Sequence, residues 1–228
     1  MGEKIKTLVI KIFYGGLGDH LFHSHLPRLA KETQGYEQVF ISKHSNYINL
    51  NTKRLVWEYN PFVDGFVDDE GMYPQFGEVS EGKNILDAVS DFYGFSDTGI
   101  RFQEPEVYYK PKLIPELSNV ILLDNNSFSH RGIPSCIELE KYLKANGIIV
   151  THQMKSLYGN VRLEGLKEIS ANSLEHLCDI IYSCKQFYGV LTGSITLASA
   201  LRKPSTVFYV DGALSMFRYS KLHNYIRL

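Results

Sequence analysis

The stretch TLVIKIFYGGLGDHLF, residues 7–22, is the part of the sequence that decides the fold. Its first half, Thr7–Phe13, is a short apolar run rich in β-branched residues and predicts a buried strand. A glycine-rich turn follows, and apolar residues then recur at helical spacing, with Pro27 expected to interrupt the helix. Gln38–Ser42 predicts a second strand. The order strand, glycine turn, helix, strand is the opening of a parallel α/β sheet.

The alternation of strands and helices continues to the end of the chain. The first half adds a short helix at Arg54–Tyr59, a strand at Phe62–Val67 and a helix at Asn84–Tyr93. Prolines at 105, 111 and 115 predict a linker. We therefore expect two domains, 1–114 and 115–228.

The second half begins again with a strand, and its predicted elements can be taken in chain order. They are a strand at Asn119–Leu123, a helix opened by Pro134, a strand at Ile148–Thr151, a helix capped by Ser173, a strand at Phe187–Leu191, a helix at Ile195–Leu201 and a last strand at Ser205–Val210. We interpret Met216–Tyr225 as a helix that packs back on the protein, with a partner surface as the alternative. The predicted fold class is α/β, with two Rossmann-like α/β/α domains facing a cleft.

Composition excludes several classes of protein. The 228 residues carry a formal net charge of −1, which argues against a nucleic-acid binder with a broad cationic surface. Three cysteines do not form a disulfide framework and fit a reducing compartment. Apolar runs are far shorter than a membrane span, and no targeting signal is visible. We expect a soluble, cytoplasmic protein with an acidic first half (net −4) and a basic second half (net +3).

The first glycine loop places a carboxylate, Asp19, beside Gly16 and Gly18 at the start of a predicted helix. A dinucleotide-binding interpretation is disfavoured because Leu21 stands where the third glycine belongs and no acid ends the second strand. The helix dipole favours an ionised Asp19, which can act as a general base toward a hydroxyl group. The structural alternative is that Asp19 only caps the helix.

The second loop, Thr192-Gly193-Ser194, connects a predicted strand to a helix and could hold a diphosphate through backbone amides and hydroxyls. The alternative is an ordinary turn. Arg131 is a candidate phosphate partner, or else a solvated surface charge. His20 and His23 could share a helix face and bind a metal, but no further ligand set accompanies them. We therefore predict no metal and place these histidines on the acceptor side.

Four segments together resemble the heptosyltransferase-like glycosyltransferases of family 9. They are the glycine loop with its proline-interrupted helix (16–29), Asn60-Pro61-Phe62-Val63-Asp64, the helix from Ser173 to Cys184, and the segment from Gly189 to Pro204. The resemblance implies the two-domain GT-B fold. It also implies that Asp19 is the catalytic base that deprotonates the acceptor hydroxyl. By the same resemblance, Thr192, Gly193 and Ser194 hold the diphosphate of the donor. We assign Arg131, Gly16 and Gly18 to the same donor- and phosphate-binding group.

The function that this resemblance implies is transfer of a sugar from a nucleotide-diphospho-sugar to a glycan or glycolipid hydroxyl in polysaccharide biosynthesis. We expect inversion, no metal and no cofactor beyond the nucleotide-sugar co-substrate. A lipid-linked acceptor would bring peripheral membrane association. Where the family has Asn-Asp and a histidine, this unusually short chain has Val190-Leu191 and Thr196. The alternatives are therefore a non-catalytic nucleotide- or sugar-binding relative and a nucleotide-sugar epimerase.

Overall fold

A computed structural model describes residues 5–74, 83–95, 104–127, 132–156 and 162–228. The chain divides into two compact units, Met1–Tyr109 and Lys110–Leu228. Each unit contains its own parallel sheet flanked by helices, so the predicted α/β class is confirmed. The assignment of an acceptor role to the first half and a donor role to the second stays a prediction.

The sheet of the first unit contains three parallel strands in the order β1-β2-β3. They are β1 (Thr7–Ile10), β2 (Gln38–Ser42) and β3 (Gly65–Val67). A parallel bridge joins Ile10 to Met72 on the other side of β1, so β1 lies inside the sheet. Ile10, Val39 and Ile41 are fully buried, as expected for a parallel sheet covered on both faces.

Pro27 interrupts the first helix as predicted. The chain forms α1 (Leu17–His23) and then α2 (Leu26–Thr33), with the proline in the first turn of α2, where its missing N–H costs no hydrogen bond. The predicted helix near residue 54 is a π-helical segment, Lys53–Glu58. Helix α3 (Ile85–Phe92) begins at Asn84, whose side chain accepts from the N–H groups of Leu86 and Asp87.

The sheet of the second unit has six parallel strands in the order β6-β5-β4-β7-β8-β9. They are β4 (Ile121–Asp124), β5 (His152–Met154), β6 (Lys167–Ile169), β7 (Gln186–Val190), β8 (Ser205–Tyr209) and β9 (His223–Arg227). Within the unit this is the order 3-2-1-4-5-6 of doubly wound nucleotide-binding folds. The direction of winding reverses between β4 and β7, and ligands of such sheets bind at the carboxyl ends of these two strands.

Within the part of this unit that the structure describes, three α-helices accompany the sheet: α4 (Cys136–Ala145), α5 (Leu174–Ser183) and α6 (Gly193–Ala200). Ser173 caps α5 as predicted, accepting from the N–H of His176 at 3.1 Å. The prediction that Pro134 opens α4 was wrong. Ser135 is the cap, because its hydroxyl accepts from Glu138 N–H while the Glu138 carboxylate accepts from Ser135 N–H.

Three strands depart from the sequence prediction. The strand expected at 148–151 lies further on, as β5, and the segment expected to be a helix at 216–225 forms a 3₁₀ turn (Ser215–Phe217) and then enters the edge strand β9. Ser205–Val210 is therefore not the last strand. Edge strand β6 was not predicted. Both β6 and β9 are polar sequences that are half exposed, so they lack the apolar run that marks a central strand.

Candidate functional site

The glycine loop after β1 is held by the segment 46–48. The Ile12 and Gly15 carbonyls accept from the N–H groups of Asn46 and Ile48 at 3.0 and 2.9 Å. A Cβ atom on Gly15 would lie 2.9 Å from the Ile48 nitrogen, so only glycine permits this approach. The loop that carries the candidate base is thus held in place at the carboxyl end of β1.

Asp19 lies in the first turn of α1, and its Oδ2 accepts from the Gly16 N–H at 3.0 Å. A Cβ on Gly16 would lie 2.8 Å from that oxygen, so Gly16 makes room for the carboxylate, while Gly18 is part of α1. Burial raises the pKa of Asp19 to about 6, against the opposing effect of the Gly16 hydrogen bond. The effect of burial on the pKa thus outweighs that of the N–H groups at the start of the helix. With a pKa of about 6, Asp19 is still mostly ionised at neutral pH. Asp19 therefore caps the helix and is also suited to general base catalysis.

His20 is buried, and both of its ring nitrogens have partners within the first unit. The Trp57 indole N–H donates to Nδ1 at 2.8 Å, and since an indole N–H can only donate, the ring proton is on Nε2. That proton is donated to the Asn46 carbonyl at 2.8 Å. The ring also stacks on Tyr47, with centroids 4.5 Å apart. Burial lowers the pKa of His20 to about 3, so the ring is neutral.

His23 lies one turn further along α1 and is also buried. Its Nδ1 donates to the Asp19 carbonyl oxygen at 2.8 Å, and burial lowers its pKa to about 4. Both histidines therefore support the helix that carries Asp19 from inside the unit. Their assignment to the acceptor side stays a prediction. Within the described residues, no three His, Cys, Asp or Glu side chains come close enough together to hold a metal ion.

In the second unit, the structure brings Thr192, Gly193 and Ser194 to the carboxyl end of β7. Thr192 is the cap of α6, Gly193 is its first residue, and the Thr192 and Ser194 hydroxyls lie 3.0 Å apart. Close packing sets this geometry, since a Cβ on Gly189 would lie 2.7 Å from the Ile195 side chain. The loop thus presents two hydroxyls and the first N–H groups of a helix at the point where the sheet reverses.

Asp124 is a site residue that the sequence did not single out. It is the last residue of β4 and pairs with Gly189 of β7 in the sheet. Its Oδ1 accepts from the backbone and side-chain N–H groups of Asn126 at 3.0 and 2.8 Å, and the Ser194 hydroxyl also donates to it. The Thr192 and Ser194 hydroxyls also bond to each other, and either one can be the donor.

Burial raises the pKa of Asp124, while its hydrogen bonds and the charge of Arg162 oppose that shift. Arg162 is a cation near this site: it forms an ion pair with Glu168 at 3.0 Å and donates to the Met154 carbonyl at 2.5 Å. Arg131, the cation predicted from the sequence, lies outside the described residues. An acid that ends an apolar strand, as Asp124 does after NVILL, is the signal that would have identified this site.

No family model matches the sequence, and no curated protein matches it. Several solved structures share its fold. The crystal structure of the glycosyl transferase family 9 protein from Veillonella parvula DSM 2008 aligns with a TM-score of 0.66 at 11% identity, over 100% of this chain and 87% of that chain. The E. coli ADP-heptose lps heptosyltransferase II aligns with a TM-score of 0.54 at 15% identity, over 98% of this chain and 90% of that chain.

A third structure is that of the dodecameric iron-containing heptosyltransferase TibC in complex with ADP-D-beta-D-heptose. It aligns with a TM-score of 0.65 at 11% identity, over 98% of this chain and 63% of TibC. At these identities the likeness defines the fold. The chain has the fold of the heptosyltransferase-like, family 9 glycosyltransferases, as its sequence motifs predicted. No helix in the described ranges is long and apolar enough to cross a membrane.

Proposed function

We propose that this protein is a glycosyltransferase that moves a sugar from a nucleotide-diphospho-sugar to a hydroxyl group of a glycan or glycolipid, with inversion and without a metal. The observation that carries the proposal is the carboxyl group of Asp19, half-buried after β1 with a pKa near 6. A base of this pKa is ionised at neutral pH and still accepts a proton readily as the acceptor oxygen attacks.

The proposed reaction is a single displacement. The acceptor oxygen forms a bond to the anomeric carbon of the donor and gives its proton to Asp19. The bond from that carbon to the diphosphate oxygen breaks, and the nucleoside diphosphate leaves with the electron pair. The first unit is assigned to the acceptor and the second to the donor.

The donor is assigned to the switch point of the second unit. The first N–H groups of α6 and the hydroxyls of Thr192 and Ser194 are suited to diphosphate oxygens, because a helix N-terminus favours negative charge. Cations for the leaving group are Arg162 and, from the sequence, Arg131. TibC, which shares this fold, was solved with ADP-D-beta-D-heptose, and this supports a nucleotide-sugar donor here.

The test of this proposal is a comparison of Asp19→Asn with the wild type. The protein is incubated with nucleotide-sugars and glycan acceptors, and release of nucleoside diphosphate is measured beside donor binding. Asparagine keeps an oxygen for the Gly16 N–H, so the cap survives while the base is lost. We expect transfer to fall by at least about 100-fold, the scale of general base catalysis, with donor affinity unchanged.

Glu138→Gln is the matched control, because Glu138 occupies the same capping position in α4 and accepts from the Ser135 N–H at 2.7 Å. It should leave transfer unchanged. Donor binding without turnover, insensitive to Asp19→Asn, would favour the non-catalytic binding protein that Val190-Leu191 and Thr196 keep open. Interconversion of donor sugars without acceptor would identify an epimerase. We further propose that the protein is cytoplasmic and contacts the membrane through a lipid-linked acceptor.

A further inference from the structure

The loop that precedes Asp19 carries exposed aromatic side chains, which together with Tyr73 form a feature that we call the aromatic ledge (Phe13, Tyr14 and Tyr73). Phe13 stacks on Tyr73 with ring centroids 4.6 Å apart and planes 12° apart, and Tyr14 meets Phe13 edge-on at 5.1 Å. Phe13 is 44% exposed and Tyr14 is 47% exposed. The exposed parts of these rings form an aromatic surface in the loop that precedes Asp19.

The backbone beneath the aromatic ledge is fixed. Asn46 donates its side-chain N–H to the Phe13 carbonyl at 2.6 Å, the Ser45 hydroxyl accepts from the Ile12 N–H at 3.1 Å, and Ile48 donates to Gly15 at 2.9 Å. Bonds on both sides of the two exposed rings leave little conformational entropy to lose on binding. The surface is therefore preorganised for a ligand.

The aromatic ledge lies close to the Asp19 carboxyl group. The Asp19 Oδ2 is bonded to the nitrogen of Gly16, two residues after Tyr14, at 3.0 Å. Two residues of chain span about 7 Å at most, so the carboxylate lies within about 10 Å of the Tyr14 backbone. A glycan of one or two sugar rings stacked on Tyr14 can thus reach Asp19 with a hydroxyl group.

Acidic side chains outnumber basic ones in the group that is connected to the aromatic ledge through Lys11. Lys11, whose Nζ lies 5.4 Å from the Tyr73 ring centroid, forms an ion pair with Glu70 at 2.6 Å. His44 contacts Asp68 at 2.7 Å, and Asp69 adds a further acid to the same run. An anionic ligand would meet this excess of negative charge together with Asp19. A neutral sugar is not repelled by these acids, and its C–H groups can pack against the electron-rich face of an aromatic ring.

We propose that the aromatic ledge is the acceptor subsite and that the acceptor is a neutral sugar, stacked on Tyr14 and Phe13 with a hydroxyl toward Asp19. The term acceptor rests on the proposed transferase function, but binding of a sugar at the aromatic ledge can be measured without any donor. It names the class of acceptor as uncharged carbohydrate, rather than an acidic sugar or a peptide.

The test measures binding of purified saccharides by titration calorimetry, without nucleotide. The ligands are an array of neutral and anionic glycans, followed by tetragalacturonate and its methyl ester, in which esterification removes the negative charges. We expect neutral glycans to bind and the methyl ester to bind more tightly than the acid. Tyr14→Ala should weaken binding about tenfold, the scale of one aromatic contact, whereas Tyr14→Trp keeps the aromatic face and should keep affinity. Ile149→Ala, which removes an exposed apolar side chain in the second unit, is the control and should have no effect.

Three results would overturn the inference: no neutral glycan binds, the acid binds better than its ester, or Tyr14→Ala binds as the wild type does. A fourth such result is self-association of the wild type that Tyr14→Ala abolishes, without glycan binding, since it would assign the aromatic ledge to contact between copies of the chain. The proposed function fails separately. If glycans bind through Tyr14 but no nucleotide-sugar is consumed, the acceptor inference stands and the transferase proposal does not.

Discussion

The indole N–H of Trp57 donates to Nδ1 of His20 at 2.8 Å, and His20 is the residue next to the candidate base, Asp19. Trp57 is the single tryptophan of the protein and is only 1% exposed, and it lies in the π-helical segment Lys53–Glu58. The bond therefore ties that segment to the start of α1. It also fixes the neutral tautomer of a histidine behind the base.

Removing the Trp57 donor should destabilise the first unit. Trp57→Phe fills most of the same space but leaves the buried His20 Nδ1 without its N–H partner, which costs about 1–3 kcal/mol. Urea unfolding followed by circular dichroism measures the loss. Trp57→Phe combined with His20→Asn should cost less than the sum of the two changes, because both remove one hydrogen bond. Additive losses would show that the pair is not coupled.

The pKa of Asp19 predicts an acid limit on activity. Burial raises this pKa to about 6, so protonation removes the base as pH falls below that value. The turnover number should fall about tenfold between pH 7 and pH 5, with one proton involved. The buried His20 and His23 have lower pKa values, about 3 and 4, and should not contribute to the fall in rate between pH 7 and pH 5. A rate that is level from pH 7 to pH 5 would remove Asp19 from the role of base.

The stability of the first unit should also fall in acid, because of His20, His23 and His25. Burial lowers their pKa values to about 3, 4 and 3, from 6.5 in an unfolded chain. As pH falls below 6.5 the unfolded chain binds protons that the folded unit excludes, so the free energy of unfolding decreases. Asp19 opposes this trend, because its raised pKa makes the folded state take up a proton near pH 6.

With three histidines against one carboxyl group, the expected net loss from pH 7 to pH 5 is on the order of 4 kcal/mol. Trp57 fluorescence during urea unfolding reports this unit directly. His25→Asn should reduce the slope of stability against pH, whatever it does to stability at pH 7. An unchanged slope would mean that His25 accepts a proton in the folded protein.

Much of the fold could be predicted because its central strands and turns leave local signals. β1, the glycine turn, the interruption at Pro27 and the cap at Ser173 each follow from residues adjacent in sequence. The edge strands β6 and β9 could not be found that way, since KEI and HNYIR have no continuous apolar run. Their pairing depends on neighbours far along the chain.

The two candidate sites differ in the same way. Asp19 was found because its partner, Gly16, lies three residues away in the same loop. Asp124 was missed because the Ser194 hydroxyl that it binds comes from the start of α6, 70 residues later in the chain, and only the sheet order brings them together. The raised pKa of Asp19 likewise depends on burial, which no local pattern reveals.

Arg202 offers a substitution that should stabilise the second unit. It follows α6 with φ of +58°, and the N–H of Lys203 bonds to the Ala198 carbonyl at 2.9 Å, as in a helix end that favours glycine. Arg202→Gly should raise the free energy of unfolding by about 0.5–1 kcal/mol, because the side chain is exposed and the left-handed backbone no longer strains a Cβ. The reverse change, Gly147→Ala after α4 at φ of +62°, should lower it by a similar amount. Thermal unfolding measures both, and a lower melting temperature for Arg202→Gly would contradict the assignment.

Asp124 should control donor binding through Ser194, and the side chains involved allow a sharp test. Asp124→Asn keeps the shape but replaces one acceptor oxygen with an N–H₂ group that faces the donors on Asn126 or Ser194. Breaking a buried hydrogen bond to a carboxylate costs about 1.5–3 kcal/mol, so unfolding should become easier and nucleoside diphosphate affinity should fall.

Ser194→Ala removes the hydroxyl that links Asp124 to the Thr192 loop. The double variant combines Asp124→Asn with Ser194→Ala. If Asp124 acts on the donor through the Ser194 hydroxyl, the double variant should bind nucleoside diphosphate about as weakly as the more weakly binding of the two single variants, because either change alone already breaks the link between Asp124 and the donor. Thr206→Ala, a half-buried hydroxyl in β8 away from the loop, controls for loss of a hydroxyl alone and should keep affinity. Additive losses in the double variant would instead mean that Asp124 and Ser194 affect the donor independently.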